Sequence, residues 1–184
     1  MMTTVRTRSW IGLFAVAALC LTPAHAADGQ APPSPPKPAP RPKPCATPEF
    51  RQFDFWIGDW SVADPQGHAV GKNVITLEHD GCVLAEHWTG AAGGTGSSFN
   101  LYDAASKRWH QTWVDSSGTL LQLDGAFADG KMVLEGKGVG PKGAPVTNRI
   151  AWEKLADGRV RQTWTTSTDG GTTWSVAFDG FYSK

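Results

Sequence analysis

The sequence lacks an apolar run long enough to cross a membrane as a helix. The run at residues 10–21 covers about a dozen residues, whereas a membrane helix needs about twenty. It follows Arg6 and Arg8 and precedes the small-residue sequence AHA at residues 24–26, which is typical of a secretory signal peptide with its cleavage site. We therefore expect a signal peptide over residues 1–26, no membrane span, and an exported protein, either periplasmic or secreted.

The sequence also lacks net charge, with 17 basic and 17 acidic side chains. Five of the basic residues and one of the acidic residues precede position 49, so residues 49–184 carry 12 basic and 16 acidic side chains. A domain with an acidic excess and no basic stripe does not suit the phosphate backbone of nucleic acids. We expect no nucleic-acid partner.

Cysteine is scarce, and Cys20 falls within the expected signal peptide, which leaves Cys45 and Cys82. No two cysteines have the close spacing of a zinc site. Because exported compartments permit disulfides, we expect a Cys45–Cys82 disulfide, with two free buried thiols as the alternative. A lipoprotein attached through Cys20 is less well supported, since Leu19 stands where a small residue is required.

Proline is scarce outside one segment. Nine of the thirteen prolines lie within residues 27–48, which show no apolar periodicity. This composition favours extended polyproline II and predicts a semi-rigid, proline-rich linker. A docking peptide for a partner or for the cell envelope is the alternative. The folded domain is then expected over residues 49–184, an ordinary size for one domain.

Helix-length patterns are nearly absent from residues 49–184. Short β-rich runs alternate there with glycine and aspartate turns that suit tight hairpins. Parallel pairing needs long crossovers, so the sheet is predicted to be an antiparallel meander. Closure into a barrel would remove both sheet edges, and a two-sheet sandwich is the alternative. The ten predicted strands are 57–64, 70–78, 82–89, 96–102, 108–115, 119–127, 131–137, 146–155, 159–167 and 174–182.

Two details of this meander follow from the local pattern. Alternation within RWHQTWVD predicts that Trp109, Gln111 and Trp113 share one face, with His110 on the other. The stretch PEFRQFDFW, residues 48–56, is predicted to form a helical turn whose aromatic side chains plug one end of the sheet.

The segment STDGGTTW, residues 167–174, fits the pattern S-x-D-x-G-x-T-W of the Asp-box, known from sialidases and other β-propellers. A propeller requires blades of about 40 residues in several copies, and no such repeat is present. We therefore predict a hairpin turn. In it Asp169 accepts hydrogen bonds from turn amides, Gly171 adopts a positive φ, and Trp174 packs beneath.

A resemblance supports the barrel. Gly58-Asp59-Trp60 is similar to the G-x-W that opens the first strand of lipocalins and related calycins. The wider pattern comprises FDFWIGDWSV, GCVLAEHW, NLYDAASKRWHQTWVDSSG and DGRVRQTWTTSTDGGTTWSVAFDGFY. It resembles a family of uncharacterised bacterial secreted proteins with a lipocalin-like barrel over residues 45–184. The resemblance implies this fold and carries no activity with it.

The usual signatures of catalysis are missing. There is no G-x-S-x-G motif, and the glycine-rich residues 93–98 lack the ending of a phosphate loop. Glu86 and Glu135 could form a glycosidase pair only if both point into one cavity. His87 and His110 lie in mid-strand without H-x-H spacing, so a metal site that they form with Glu86 is a weak alternative. We expect no cofactor, neither metal nor haem.

Aromatic side chains are the stronger signal, since eight of the nine tryptophans lie beyond residue 26. Each offers a large apolar area and one N–H donor, and core packing is the alternative role for any one of them. A barrel of about this size can enclose one small ligand, oriented by a few polar side chains. The predicted ligand-binding residues are Trp60, Trp88, Asn100, Gln111, Trp113, Gln122, Arg149 and Arg161.

The sequence therefore favours an exported barrel that binds one small, mostly apolar molecule and performs no chemistry. Two alternatives remain open. One is an enzyme on the same barrel that uses a histidine or glutamate as acid or base; the other is an envelope-associated interaction module. A cavity of about 300 Å³ or more would support binding, whereas a filled interior would favour the module.

Overall fold

The computed structural model describes residues 42–140 and 143–184; the predicted signal peptide and residues 27–41 of the predicted linker lie outside these residues. No helix in the described part of the chain is long and apolar enough to cross a membrane. Its ten strands match the predicted ones to within two residues at each end. They are β1 (Gly58–Ala63), β2 (Ala69–Glu78), β3 (Val83–Gly90), β4 (Thr95–Asp103), β5 (Arg108–Asp115), β6 (Leu120–Ala128), β7 (Lys131–Val139), β8 (Pro145–Lys154), β9 (Val160–Ser167) and β10 (Ser175–Ser183).

The ten strands form one closed barrel. Each strand pairs antiparallel with its neighbours in the chain, and β1 also pairs with β10, where Val62 faces Tyr182. The predicted antiparallel meander and its closure are confirmed, and the two-sheet sandwich is excluded. Closure leaves no unpaired edge strand in the sheet.

Side-chain facing follows the alternation expected of strands. On β5, Trp109 and Gln111 are buried in the interior, whereas His110 contacts Asp124 on the outer surface. One bulge interrupts this alternation on β10. Val176 pairs with Thr165, but Phe178 pairs with the adjacent residue Trp164, so the ring of Phe178 lies inside and Val176 is exposed.

Aromatic side chains from the N-terminal segment close one end of the barrel, as predicted. Short 3-10 turns at Pro48–Arg51 and Asp54–Trp56 carry them. The Phe53 ring stacks on Trp56 at 4.9 Å and meets the edge of Trp152 at 5.2 Å between ring centroids. All three side chains are fully buried. We call this end the floor of the barrel.

The predicted Cys45–Cys82 disulfide is confirmed, with the two Cα atoms 5.1 Å apart. Cys82 follows a 3-10 turn at His79–Gly81 between β2 and β3, so the bond ties the segment before the floor to this corner. A guanidinium nitrogen of Arg51 donates a hydrogen bond to the carbonyl of Gly81 and joins the same two segments. The floor is thus held covalently and by a hydrogen bond.

Candidate ligand-binding cavity

The barrel interior is not completely filled. A cavity of about 140 Å³ lies in its middle layers, away from the floor. The side chains deepest in the cavity are buried, whereas the aromatic side chains at its outer end are half-buried. It is lined by Glu86, Trp88, Gln111, Trp113, Leu121, Ile150, Gln162, Trp164, Phe178 and Tyr182.

Four aromatic side chains form the outer end of the cavity, which we call the aromatic rim: Trp88, Trp113, Trp164 and Phe178. Glycines on the neighbouring strands make room for these rings. A Cβ on Gly96 would lie 2.2 Å from the Trp113 ring, and a Cβ on Gly71 would lie 2.5 Å from the Trp88 ring. Any larger residue at either position would therefore displace a rim tryptophan.

Polar and aromatic contacts fix the orientation of the rim. The indole N–H of Trp113 donates to Asp115 Oδ2 at 3.3 Å, and that of Trp164 donates to Asn148 Oδ1 at 3.0 Å. Trp88 meets Phe178 edge to face, with ring centroids 6.1 Å apart. The rim is consequently a set of oriented rings that border the cavity.

Glu86 is the polar centre of the cavity, and only 4% of its surface is exposed. Its inward position follows from β3, where Leu84 and Trp88 occupy the same face. Asn73 Nδ2 donates to Glu86 Oε1 at 2.7 Å, and Ser98 Oγ donates to Oε2 at 2.5 Å. Each carboxyl oxygen therefore accepts one hydrogen bond from a neighbouring strand.

A chain of hydrogen bonds extends from Glu86 along the cavity wall. Ser98 Oγ accepts from Asn100 Nδ2 at 2.8 Å, and Asn100 Oδ1 accepts from Gln111 Nε2 at 2.8 Å. These amides are buried, and their hydrogen bonds satisfy groups that would otherwise cost free energy in the interior. The chain fixes the Ser98 hydroxyl as a donor toward Glu86.

Burial raises the pKa of Glu86 to about 7, although the hydrogen bonds from Ser98 and Asn73 lower it. Burial disfavours the charged form because a low-dielectric interior solvates it poorly. Burial also raises the pKa of Tyr182, and the nearby charge of Glu86 adds to this effect. The Tyr182 hydroxyl donates to Gln162 Oε1 on the neighbouring strand β9. Near neutral pH the carboxyl group of Glu86 is therefore poised between its neutral and ionised forms.

The predicted ligand-binding residues divide into two groups. Trp88, Gln111 and Trp113 line the cavity. Asn100 is one hydrogen bond behind its wall, through Gln111. Trp60 is buried nearer the floor, where its indole N–H donates to the Trp56 carbonyl at 2.8 Å. Three of the predicted residues therefore line the cavity, and a fourth, Asn100, belongs to the hydrogen-bond network that supports its wall.

The structure does not bring Gln122, Arg149 and Arg161 to the cavity, because all three point to the outside of the barrel. Gln122 is exposed between the two buried leucines of β6. Arg149 pairs with Glu135 at 2.5 Å. Arg161 donates two hydrogen bonds to Asp179 on the outer surface. Strand alternation, which aims every second side chain outward, explains each of these placements.

The alternative catalytic groups are also separated. Glu135 faces outward in its pair with Arg149, so it cannot form a two-carboxylate site with Glu86. His87 is exposed, and His110 is bonded to Asp124 at 2.9 Å on the outer face. Within the described ranges, no three histidine, cysteine or acidic side chains converge to hold a metal ion.

The segment fitting the Asp-box forms a structural turn, as predicted. Asp169 Oδ1 accepts from the backbone N–H of Thr172 at 3.0 Å and of Thr173 at 2.9 Å. Gly171 has φ +97°, and the Trp174 indole donates to its carbonyl at 3.0 Å. Hydrogen bonds from Thr173 and Ser167 hold the pKa of Asp169 well below its usual value. Asp169 is committed to the turn and does not reach the cavity.

No protein-family model matches this sequence, and no curated protein shows significant similarity to it. The fold and the site therefore define the molecule only as a closed, ten-stranded antiparallel β-barrel with an aromatic interior cavity around one buried carboxyl group.

Proposed function

We propose that this protein is an exported binding protein whose barrel holds one small, mostly apolar molecule and performs no chemistry on it. The observation that carries the proposal is the unfilled cavity between the aromatic rim and Glu86. Oriented aromatic rings with a few convergent polar groups are what small-molecule sites require. Apart from Glu86 and Tyr182, the eight residues that line the cavity have no titratable group. This suits a ligand that is mostly apolar.

The volume limits the size of the ligand. At about 140 Å³ the cavity is smaller than the sequence-based expectation and close to the roughly 150 Å³ known to admit benzene. Sites for drug-sized molecules occupy about 300–1,000 Å³. The expected ligand accordingly has one ring or a short branched chain, with any longer part emerging at the aromatic rim.

The proposed location rests on the signal-peptide pattern at residues 1–26 and agrees with the Cys45–Cys82 disulfide, since disulfides persist in oxidising compartments. Membership of the lipocalin-like secreted family is part of the same proposal. It rests on the motif resemblance and is supported by the closed meander barrel.

Isothermal titration calorimetry with benzyl alcohol and toluene tests the proposal. The protein should bind at least one of these probes saturably. An Ile150→Trp variant should abolish binding, because residue 150 lines the cavity and a larger ring fills it. Val176→Trp is the matched control, since Val176 is 66% exposed on the outer surface. Absence of saturable heat with either probe, or equal binding by both variants, contradicts the proposal.

An acid–base enzyme is a second candidate function, favoured by one observation. Glu86 lines the cavity with its pKa raised to about 7 by burial, close to the value that suits a general acid or base at neutral pH. However, both of its oxygens already accept hydrogen bonds, and the side chains of His87 and His110 point to the outer surface of the barrel. Conversion of any probe bound in the cavity, lost in Glu86→Gln, would support the enzyme over the binding protein.

A further inference from the structure

Glu86 is a buried acidic group to which the described part of the chain supplies no cation. None of the described residues that line the cavity is a lysine, arginine or histidine. Arg161 of β9, next to the cavity-lining Gln162, points outward in its pair with Asp179. Buried carboxylates are ordinarily paired, because an unpaired charge in a protein interior is costly. Here the only groups that oppose the charge are neutral donors.

Hydrogen-bond capacity remains on the cavity side of this carboxyl group. A carboxylate has about four acceptor positions, and Asn73 and Ser98 use one on each oxygen. Gln111 binds Asn100 through its nitrogen, and no described residue donates to its side-chain oxygen. The cavity therefore presents acceptors of Glu86 and Gln111 to a ligand that carries N–H donors.

The aromatic rim also favours a positively charged ligand. The face of an indole ring carries negative potential and attracts cations within about 6 Å of its centre. Three tryptophans and one phenylalanine surround the outer cavity: Trp88, Trp113, Trp164 and Phe178. A carboxyl group at the base and aromatic rings at the rim together resemble the arrangement that recognises organic ammonium groups.

We infer that the cavity is selective for small organic cations, namely primary amines of about one-ring size. The ammonium group lies between Glu86 and Gln111, and the hydrocarbon part lies among the rings of the rim. This inference rests on the proposed function and names the class of its ligand. It assigns Glu86 the role of counter-ion to the ligand.

The pairing makes binding depend on pH. An ammonium ligand favours ionised Glu86, whereas a neutral ligand of the same shape does not. The titratable and charged groups around Glu86 must be considered as well. Asn73 of β2 and Ser98 of β4 do not titrate, and among residues 42–140 and 143–184 Tyr182 of β10 is the only other titratable side chain that lines the cavity. Since the pKa of Tyr182 is raised, it stays neutral near pH 7.

Calorimetric titration with benzylamine and benzyl alcohol tests the inference, since the two probes differ only in the terminal group. At pH 8 the wild-type chain should bind benzylamine about tenfold more tightly or better, as expected for hydrogen bonds to a charged group. Glu86→Gln should remove this preference by weakening benzylamine binding far more than benzyl alcohol binding. Glu153→Gln should keep it, since Glu153 pairs with Lys131 on the outer surface.

The outcomes separate the two proposals. Equal affinity for benzylamine and benzyl alcohol, or tighter binding of benzyl alcohol, overturns the selectivity for cations and leaves the proposed binding function intact. If neither benzylamine nor benzyl alcohol binds, both the proposed binding function and the selectivity for cations are overturned. Should Glu86→Gln fail to fold, the wild-type pH profile decides. Benzylamine affinity should rise between pH 6 and pH 8 while benzyl alcohol affinity stays constant, and parallel profiles overturn the inference.

Discussion

Replacing Glu86 by glutamine should change how the stability of the barrel depends on pH. The pKa of Glu86 is raised by burial from the ordinary 4.5 to about 7 in the folded chain. The folded protein therefore binds this proton more tightly than the unfolded chain does. Stability contributed by the neutral carboxyl is fully present below about pH 4.5 and is lost as the pH rises to about 7.

The magnitude follows from the same pKa difference. Each pKa unit corresponds to about 1.4 kcal/mol, so a rise from 4.5 to about 7 amounts to roughly 3 kcal/mol. Glutamine at position 86 does not titrate and keeps a similar shape. Between pH 4 and pH 8, the free energy of unfolding of the wild type should fall by about 3 kcal/mol relative to that of Glu86→Gln.

Urea denaturation followed by tryptophan fluorescence measures this difference. The comparison uses the change with pH in each protein, so any constant cost of the new amide among Asn73 and Ser98 cancels. Glu153→Gln, on the outer surface, is the control and should follow the wild-type profile. If the wild-type and Glu86→Gln profiles run parallel from pH 4 to pH 8, the buried carboxyl does not titrate as argued.

Three further predictions concern other parts of the barrel. Gly96→Ala should push the Trp113 ring aside and weaken benzyl alcohol binding. Gly94→Ala is the control, because nothing lies within 4 Å of its added Cβ, and equal binding by the two variants would contradict the prediction. Reducing the disulfide, which spans 37 residues, should lower the free energy of unfolding by about 4 kcal/mol in urea titrations, and an unchanged midpoint would refute it. Asp169→Asn should lower the urea midpoint at pH 7, because the carboxylate accepts hydrogen bonds from turn amides such as that of Thr173. The affinity for benzyl alcohol should not change. Loss of affinity with normal stability would show that the turn contributes to binding.

Much of the fold could be predicted because the chain has few long-range choices. Turn chemistry separates the strands, and no segment is long enough for a crossover, so each strand must pair with its neighbour. The disulfide was predictable because only Cys45 and Cys82 remain beyond the signal-peptide pattern. Local pattern therefore decided both the meander and its covalent tie.

The site was only partly predictable. Polar chemistry alone favours Gln122 and Arg149 as cavity residues, although they alternate with inward residues such as Leu121 and Ile150. Alternation alone would have placed them outside. The same reasoning would have placed Glu86 inside, since it shares a face with Leu84.

Other features depend on the exact registration of neighbouring strands. The hydrogen bonds that Glu86 accepts come from Asn73 and Ser98 on two neighbouring strands, and their match is set by the pairing of β2, β3 and β4. The bulge that turns Phe178 inward has no strong local signal in SVAF. Such contacts depend on the exact pairing of strands, which the residue pattern within one strand does not specify.

The most direct test of the account is a nuclear magnetic resonance titration of the ¹⁵N-labelled protein with benzyl alcohol and then benzylamine. The indole N–H signals report separately on the rim, the floor and the outer turn. Those of Trp88, Trp113 and Trp164 should shift saturably, while that of Trp152 at the floor should not. Shifts confined to Trp174 on the outer turn, or no saturable shift at any indole, would contradict an interior ligand site.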